Sequence, residues 1–230
     1  GGGWGGGKAG GTIFLDGGGG FFGGVGPASP GAMVGIWQQD RTSNGGARAL
    51  VSAWSADGGR NWAPVLHPFS RCGGAAPGSA GDFERASDPW EDIAPDGTVH
   101  AMALAFSGAA LAAGSSSAML ASRSTDGGRS WSAPQVMQRD GETHFNDKNT
   151  LTADRTDARW VYGVWDRLDR SNHGPTLLAR SGDGGLSWEP ARTIHEPTVN
   201  GGTSQTIGNR IVVIGDGPQR GVLVLVFNQI

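Results

Sequence analysis

An eight-residue phrase, S-x-D-G-G-x-x-W, occurs three times in 230 residues and constrains the fold more than anything else in the chain. The copies are Ser55-Ala56-Asp57-Gly58-Gly59-Arg60-Asn61-Trp62, then Ser124 to Trp131, then Ser181 to Trp188. A proline follows each tryptophan closely, at Pro64, Pro134 and Pro190. The aspartates are spaced by 69 residues (57 to 126) and 57 residues (126 to 183). Similar spacing of a shared phrase is the mark of a repeat architecture. Each copy also has a local reading. Asp-Gly-Gly between strand-like runs is hairpin-turn chemistry, because glycine accepts positive φ without steric cost. The Asp carboxylate can bond its own backbone further along the turn, and the Ser hydroxyl can bond across the loop. The tryptophan is expected to fold over the turn. Ser55, Asp57, Trp62, Ser124, Asp126, Trp131, Ser181, Asp183 and Trp188 are therefore structural candidates. These loops lack the alternating oxygen ligands of a calcium site.

The flanking segments read as strands grouped in fours. Met33 to Trp37, Ala47 to Trp54 and Pro64 to Leu66 surround the first phrase. Trp90 to Ala94, Val99 to Phe106, Ser116 to Ser124 and Pro134 to Met137 surround the second. Asn149 to Ala153, Trp160 to Trp165, Thr176 to Ser181 and Ala191 to Ile194 surround the third. A further unit begins at Arg210 to Ile214 and Val222 to Phe227. Val99 to Phe106 is apolar nearly throughout, as expected of a strand covered on both faces. Gly35-Ile36-Trp37-Gln38 echoes Gly163-Val164-Trp165-Asp166, which sets the register between units. Asp40-Arg41 and Asp166-Arg167, ending equivalent strands, read as exposed ion pairs. Ala109 to Ala113 is the one short helix-like run.

The octapeptide resembles the Asp-box, or BNR repeat, of sialidase-like β-propellers, and the resemblance covers about residues 31–230. It implies an all-β fold of four-stranded antiparallel blades, with the boxes on the rim away from the active site. Residues 1–30 are Gly-rich and read either as a leader or as first strands, since Ile13-Phe14-Leu15 and Phe21-Phe22 look strand-like. The resemblance implies about six blades for a closed ring, and the sequence shows fewer. The expectation is that the chain is part of a longer protein, or that a partner chain closes the ring. Secretion, or the periplasm, is implied by the family; no signal peptide is visible.

Composition narrows the function. The net charge is −3 and there is no basic run, which argues against a nucleic-acid surface. No apolar stretch is long enough for a transmembrane helix. Cys72 is the only cysteine, so no intrachain disulfide forms. His67, His100, His144, His173 and His195 show no metal spacing, and no cofactor motif is present.

In a propeller the first strand of each blade lines the axis. The residues ahead of those strands are Glu84, Arg85 and Asp88; then His144, Asn146, Asp147 and Lys148; then Gln205, Asn209 and Arg210. The functional reading is a pocket for a glycan or small anionic sugar. Arg85, Lys148 and Arg210 would bind the substrate, because arginine's planar fork suits a carboxylate. Asp88 and Asp147 would act as general acid or base if burial raised a pKa. The structural reading is that the same residues satisfy strand ends and pair between blades. Sialidases use three arginines, an aspartate and a tyrosine–glutamate pair. That set cannot be assembled here, and Tyr162 lies mid-strand as a core residue. The alternative function is a non-catalytic propeller that serves as an interaction module in an assembly.

Overall fold

The computed structural model of the chain describes residues 13–15, 21–25, 31–198 and 204–230. The glycine runs at 1–7 and 17–20 lie outside the described residues. Short strands β1 (Ile13–Leu15) and β2 (Phe21–Val25) precede the readable blades. They are followed by β3 (Met33–Arg41), β4 (Ala47–Ser55) and β5 (Ala63–His67). Next come β6 (Arg85–Ile93), β7 (Val99–Ser107), β8 (Ser116–Ser124) and β9 (Gln135–Asp140). The third group is β10 (His144–Ala153), β11 (Val161–Asp169), β12 (Thr176–Ser181) and β13 (Arg192–His195). Strands β14 (Thr206–Val213) and β15 (Leu223–Gln229) pair last, joined through a 3-10 turn at Gly217–Gln219. Pairing is antiparallel within each group, in the orders β2-β3-β4-β5, β6-β7-β8-β9 and β10-β11-β12-β13. No α-helix occurs among the described residues, and Ala109 to Ala113 forms turns.

Alternation along β7 explains how the units stack. Ala101, Ala103 and Ala105 face the first unit and pack with Ile36, Leu50 and Phe69. Met102, Leu104 and Phe106 face the third and pack with Leu151, Val161 and Trp165. Successive strand side chains point to opposite faces. β7, buried on both faces, is thus apolar at nearly every step, with small residues toward one neighbour and large ones toward the other. In β11, Val161 and Trp165 point back to the second unit, while Tyr162 and Val164 point on toward Ile211 of β14. Tyr162 is a core residue of that second interface. Gly163 leaves room for a close approach: a Cβ there would lie 2.4 Å from Met137 Cε of the preceding unit.

The three octapeptides fold alike. In the second, Ser124 Oγ donates to Asp126 Oδ1 at 2.7 Å and accepts the Gly128 amide at 2.8 Å. Asp126 Oδ1 accepts the Arg129 and Ser130 amides at 3.0 and 2.9 Å, and Oδ2 accepts the Ser130 hydroxyl at 2.6 Å. Asp57 and Asp183 repeat this pattern in the other two turns. Gly127 and Gly128 have φ of +74° and +88°, the left-handed region that the turn requires. The tryptophans depart from the expectation that each covers its own turn. Trp62 does so, donating to Gly59 O at 2.9 Å. Trp131 instead enters the seam between the first two units against His67, with ring centroids 4.3 Å apart. Trp188 packs into the core shared by the second and third units.

The inner strands also differ from their expected bounds. β6, β10 and β14 begin at Arg85, His144 and Thr206, not at Trp90, Asn149 and Arg210. Each carries a register shift a few residues in, at Ser87/Trp90, Asp147/Thr150 and Ile207/Arg210. A β-bulge breaks the apolar alternation and re-aims side chains, so polar residues inside the strand read in the sequence as a loop before it.

Candidate functional site at the bulged inner strands

The bulge residues are Asp88, Lys148 and Gly208, 60 residues apart at 88, 148 and 208, with φ of +47°, +48° and +67°. Glycine takes this conformation freely. Asp88 and Lys148 take it against steric preference, and such outliers cluster at functional sites. Lys148 is thus equivalent to Asp88, and Asp147 to Ser87.

The bulges border a pocket of about 290 Å³ lined by Gln38, Asp88, Pro89, Trp90, Lys148, Asn149, Thr150 and Gly208. Lys148 Nζ lies 3.1 Å from Asp147 Oδ2 and 3.8 Å from Asp88 Oδ2. Ser87 Oγ donates to Asp88 Oδ1 at 2.7 Å. Asn149 Nδ2 donates to the Asp88 carbonyl at 3.0 Å, tying β10 to β6. Directly across the β10–β11 ladder from Asp147 is Asp166, which is 1 % exposed.

Three carboxyls around one ammonium cannot all be held ionised at little cost. Burial pushes Asp166 up to about 8, the neighbouring Asp147 charge adds to the shift, and Lys148 opposes it. Burial also raises Asp147, against the pull of Lys148. Burial opposes the charged form of Lys148, yet Asp147 and Asp88 more than compensate and its pKa rises. Near neutral pH the cluster thus holds a proton on the Asp166 side and an ion pair on the Asp147–Lys148 side. A carboxylic acid beside a carboxylate is the arrangement for proton donation and acceptance. Among the described residues no cluster of metal-ligating side chains occurs.

Of the sequence candidates, Asp88 and Lys148 line this pocket and Asp147 pairs with Lys148 beside it; Arg85 and Arg210 do not join them. Arg85 is buried and points into loops, with Nη1 donating to Asn44 O and Gly45 O at 2.8 Å and Nη2 donating to Gly108 O. Its guanidinium also lies 4.4 Å over the Phe106 ring. Arg210 lies 4.9 Å over the Trp90 ring and lines a neighbouring cleft with Asp92 and Arg155. Asn146 and Asn209 are buried structural donors and acceptors, bonded to Trp165 and Thr176.

Asp166 corrects its own assignment as an exposed ion pair. Arg167 turns away from it to chelate Asp140, while Asp166 is enclosed. A signal was present in the sequence: Asp166 follows Trp165 in a strand covered on both faces, so an outward exit was not available to it. Gln38, which stands at the same place in the echoed phrase, lines the pocket. By contrast Asp40 forms an exposed pair with Arg48 at 3.2 Å.

No protein-family model and no curated protein matches this sequence. Solved structures do match. An α-L-arabinanase from Penicillium chrysogenum, complexed with arabinobiose, superposes with a TM-score of 0.59 at 14 % identity, covering 86 % of this chain and 54 % of that one. A protein of unknown function from Dyadobacter fermentans gives 0.58 at 18 % identity, covering 87 % and 59 %. A Hadza microbial sialidase, Hz136, gives 0.52 at 17 % identity, covering 86 % and 42 %. The fold is a sialidase-like β-propeller of four-stranded antiparallel blades. This propeller chain spans about half the length of the structures it matches, and its sheets do not close into a ring among the described residues. No helix is long and apolar enough to cross a membrane among the described residues.

Proposed function

We propose that this chain belongs to a BNR-repeat, sialidase-type propeller that binds or hydrolyses a glycan at the axial pocket, working outside the cell or in the periplasm. Residues 31–230 would then be its blades, and the three S-x-D-G-G-x-x-W turns its Asp-boxes. The observation that carries the reading is the meeting of Asp88 and Lys148 at equivalent bulges on one pocket, with Asp147 paired to Lys148 and a buried acid behind them. In this reading Asp147 passes a proton to or from the glycosidic oxygen, Asp166 tunes it, and Lys148 and Asp88 hold sugar hydroxyls. Glycoside hydrolases commonly need two carboxyl groups in different protonation states, and in this reading Asp147 and Asp166, beside the pocket, would supply them.

The test is a panel of fluorogenic glycosides, including a sialoside and an α-L-arabinofuranoside, together with calorimetric binding of the free sugars. Asp147→Asn should lower turnover by about 10²-fold or more while leaving the circular dichroism unchanged. Turnover or binding that ignores both Asp147→Asn and Lys148→Ala would sink the pocket as the site.

One observation favours the interaction-module reading. On β14–β15 and just beyond, Val212, Leu223, Val224, Val226 and Ile230 are exposed, Val226 at 55 % and Ile230 at 64 %. An apolar strip of this kind suits a partner surface. If no glycan binds, capture of a partner along that strip becomes the better account.

A further inference from the structure

The pocket's charges and its unused acceptors bear on which sugar it takes, given the reading of the pocket as a glycan site. Asp88 on β6 and the ammonium of Lys148 line it, and beside Lys148 stand two further carboxyls, Asp147 on β10 and Asp166 on β11. That ammonium already lies against Asp147 and Asp88. Arg85 is spent on three backbone carbonyls and Arg210 lines the next cleft. A substrate carboxylate would find no guanidinium fork here and would face a net excess of negative charge.

The neutral groups point the same way. Asn149 lines the pocket, is 4 % exposed, and its Oδ1 accepts no hydrogen bond. The amide cannot be turned to cure this, because its Nδ2 is committed to the Asp88 carbonyl. Gln38 Oε1, on the same wall, is likewise a buried acceptor without a donor. A buried polar atom without a partner is costly, and what both lack is a donor. Ammonium brings three donors and no acceptor. Pro89 and Trp90 add an apolar wall against which the C–H face of a sugar ring can lie.

We propose that the axial pocket selects a glycan carrying a free protonated amine, an amino sugar such as a de-N-acetylated hexosamine, and not a carboxylated sugar. The amine sits among Asp88 and the Asn149 and Gln38 acceptors. The charged groups facing Asp166 are Asp147 and Lys148 on β10 and Asp88 on β6. A cation arriving there draws Asp166 toward its ionised form, so binding releases a proton. An anion would do the reverse.

The experiment is titration calorimetry of the chain at pH 7 with glucosamine and its β-1,4 dimer, N-acetylglucosamine, arabinobiose and N-acetylneuraminic acid. Each titration is run in two buffers of different ionisation enthalpy. Asp88→Asn is the variant of choice, since asparagine tolerates the left-handed backbone at φ +47°. The expected result is that the free amines bind at least about tenfold tighter than the N-acetylated sugar, the loss expected when one charge-assisted bond is removed. Up to about one proton should be released on binding, and Asp88→Asn should weaken the amines about tenfold. Tighter, Asp88-sensitive binding of N-acetylneuraminic acid or arabinobiose would overturn the amine proposal and leave the glycan pocket standing. Binding with proton uptake would overturn it equally. No binding of any of these sugars, or binding indifferent to both Asp88→Asn and Lys148→Ala, would overturn the proposal and the pocket reading together.

Discussion

Asp166 shows how one residue's environment decides its chemistry. Burial, and after it the Asp147 charge, push the carboxyl up to about 8, whereas an unfolded chain would ionise it near 3.8. The unfolded state therefore gives up its proton first as the pH rises. Stability contributed by the protonated form is full below pH 4 and is lost between about 4 and 8. Asn has the same shape and no charge to bury, so Asp166→Asn should match the parent near pH 4. By pH 9 it should be more stable by on the order of 6 kcal/mol. Urea midpoints from pH 4 to 9 measure this; a difference that does not grow with pH would show that Asp166 is not held protonated. Arg85 tests the opposite assignment. It was a substrate-binding candidate in the sequence, yet three carbonyls and the Phe106 ring occupy its guanidinium. Arg85→Ala should cost about 3–5 kcal/mol, by orphaning buried carbonyls and losing the packing of its stem. Unchanged stability with lost sugar binding would restore it to the site.

At the scale of the element, the repeated turn was legible because the side-chain hydrogen bonds that shape it all lie within eight residues. Ser, Asp and the two glycines bond one another locally, so their order alone specifies the loop. The position of the tryptophan was not legible, since that depends on what the neighbouring unit offers. Trp62 is 38 % exposed, while Trp131 is wedged against His67 between units. Trp131→Ala should therefore cost about 3–5 kcal/mol and Trp62→Ala about 1–2 kcal/mol, read from denaturant midpoints; equal costs would contradict the difference in packing. The inner strands were misjudged for a related reason. Their bulges place Asp88 and Asp147-Lys148 inside the ladder, where period-two reading expects alternation and finds two polar residues in succession. The turn carboxylates carry a pH signature of their own. Hydrogen bonds to the Asn61 backbone and side chain and to Ser55 hold Asp57 near 2, and hydrogen bonds from the Ser187 side chain and backbone and from Ser181 do so for Asp183. For Asp126, burial opposes the shift, but its hydrogen bonds from Ser130 and Ser124 still bring it to about 2. Folding should weaken as the pH falls from about 4 through 2, where these groups protonate. Asp126→Asn should flatten that acid limb, and an unaltered limb would mean the turn carboxylates do not drive it.

For the whole molecule, each unit packs against its neighbours, and hydrogen bonds cross from one unit to the next. Asp92 of β6 accepts the Ala153 amide at 2.9 Å and the Arg155 guanidinium from the third unit. One unit further on, Thr150 and Thr152 of β10 donate to Asn209 O and Ile211 O of β14 at 2.7 and 2.8 Å. Stability in such an array is a sum of unit and interface contributions, so a strand between two packed interfaces opens less often than one with a single interface. β7 and β8 are buried on both sides, with every residue from Val99 to Phe106 and from Ser117 to Ser122 enclosed. β15 is exposed at most positions along its length. Hydrogen exchange followed by mass spectrometry should thus find the slowest amides in β7 and β8, intermediate protection in β11, and the fastest strand amides in β15. Removing an interface should move the pattern in a directed way. Asp92→Ala takes away the acceptor for Ala153 and Arg155, so exchange should accelerate in β10, β11 and β14, on the far side of that seam, and much less in β3 and β4. Uniform acceleration would instead mean that the units unfold as one cooperative body, and the additive account of the propeller would have to be abandoned.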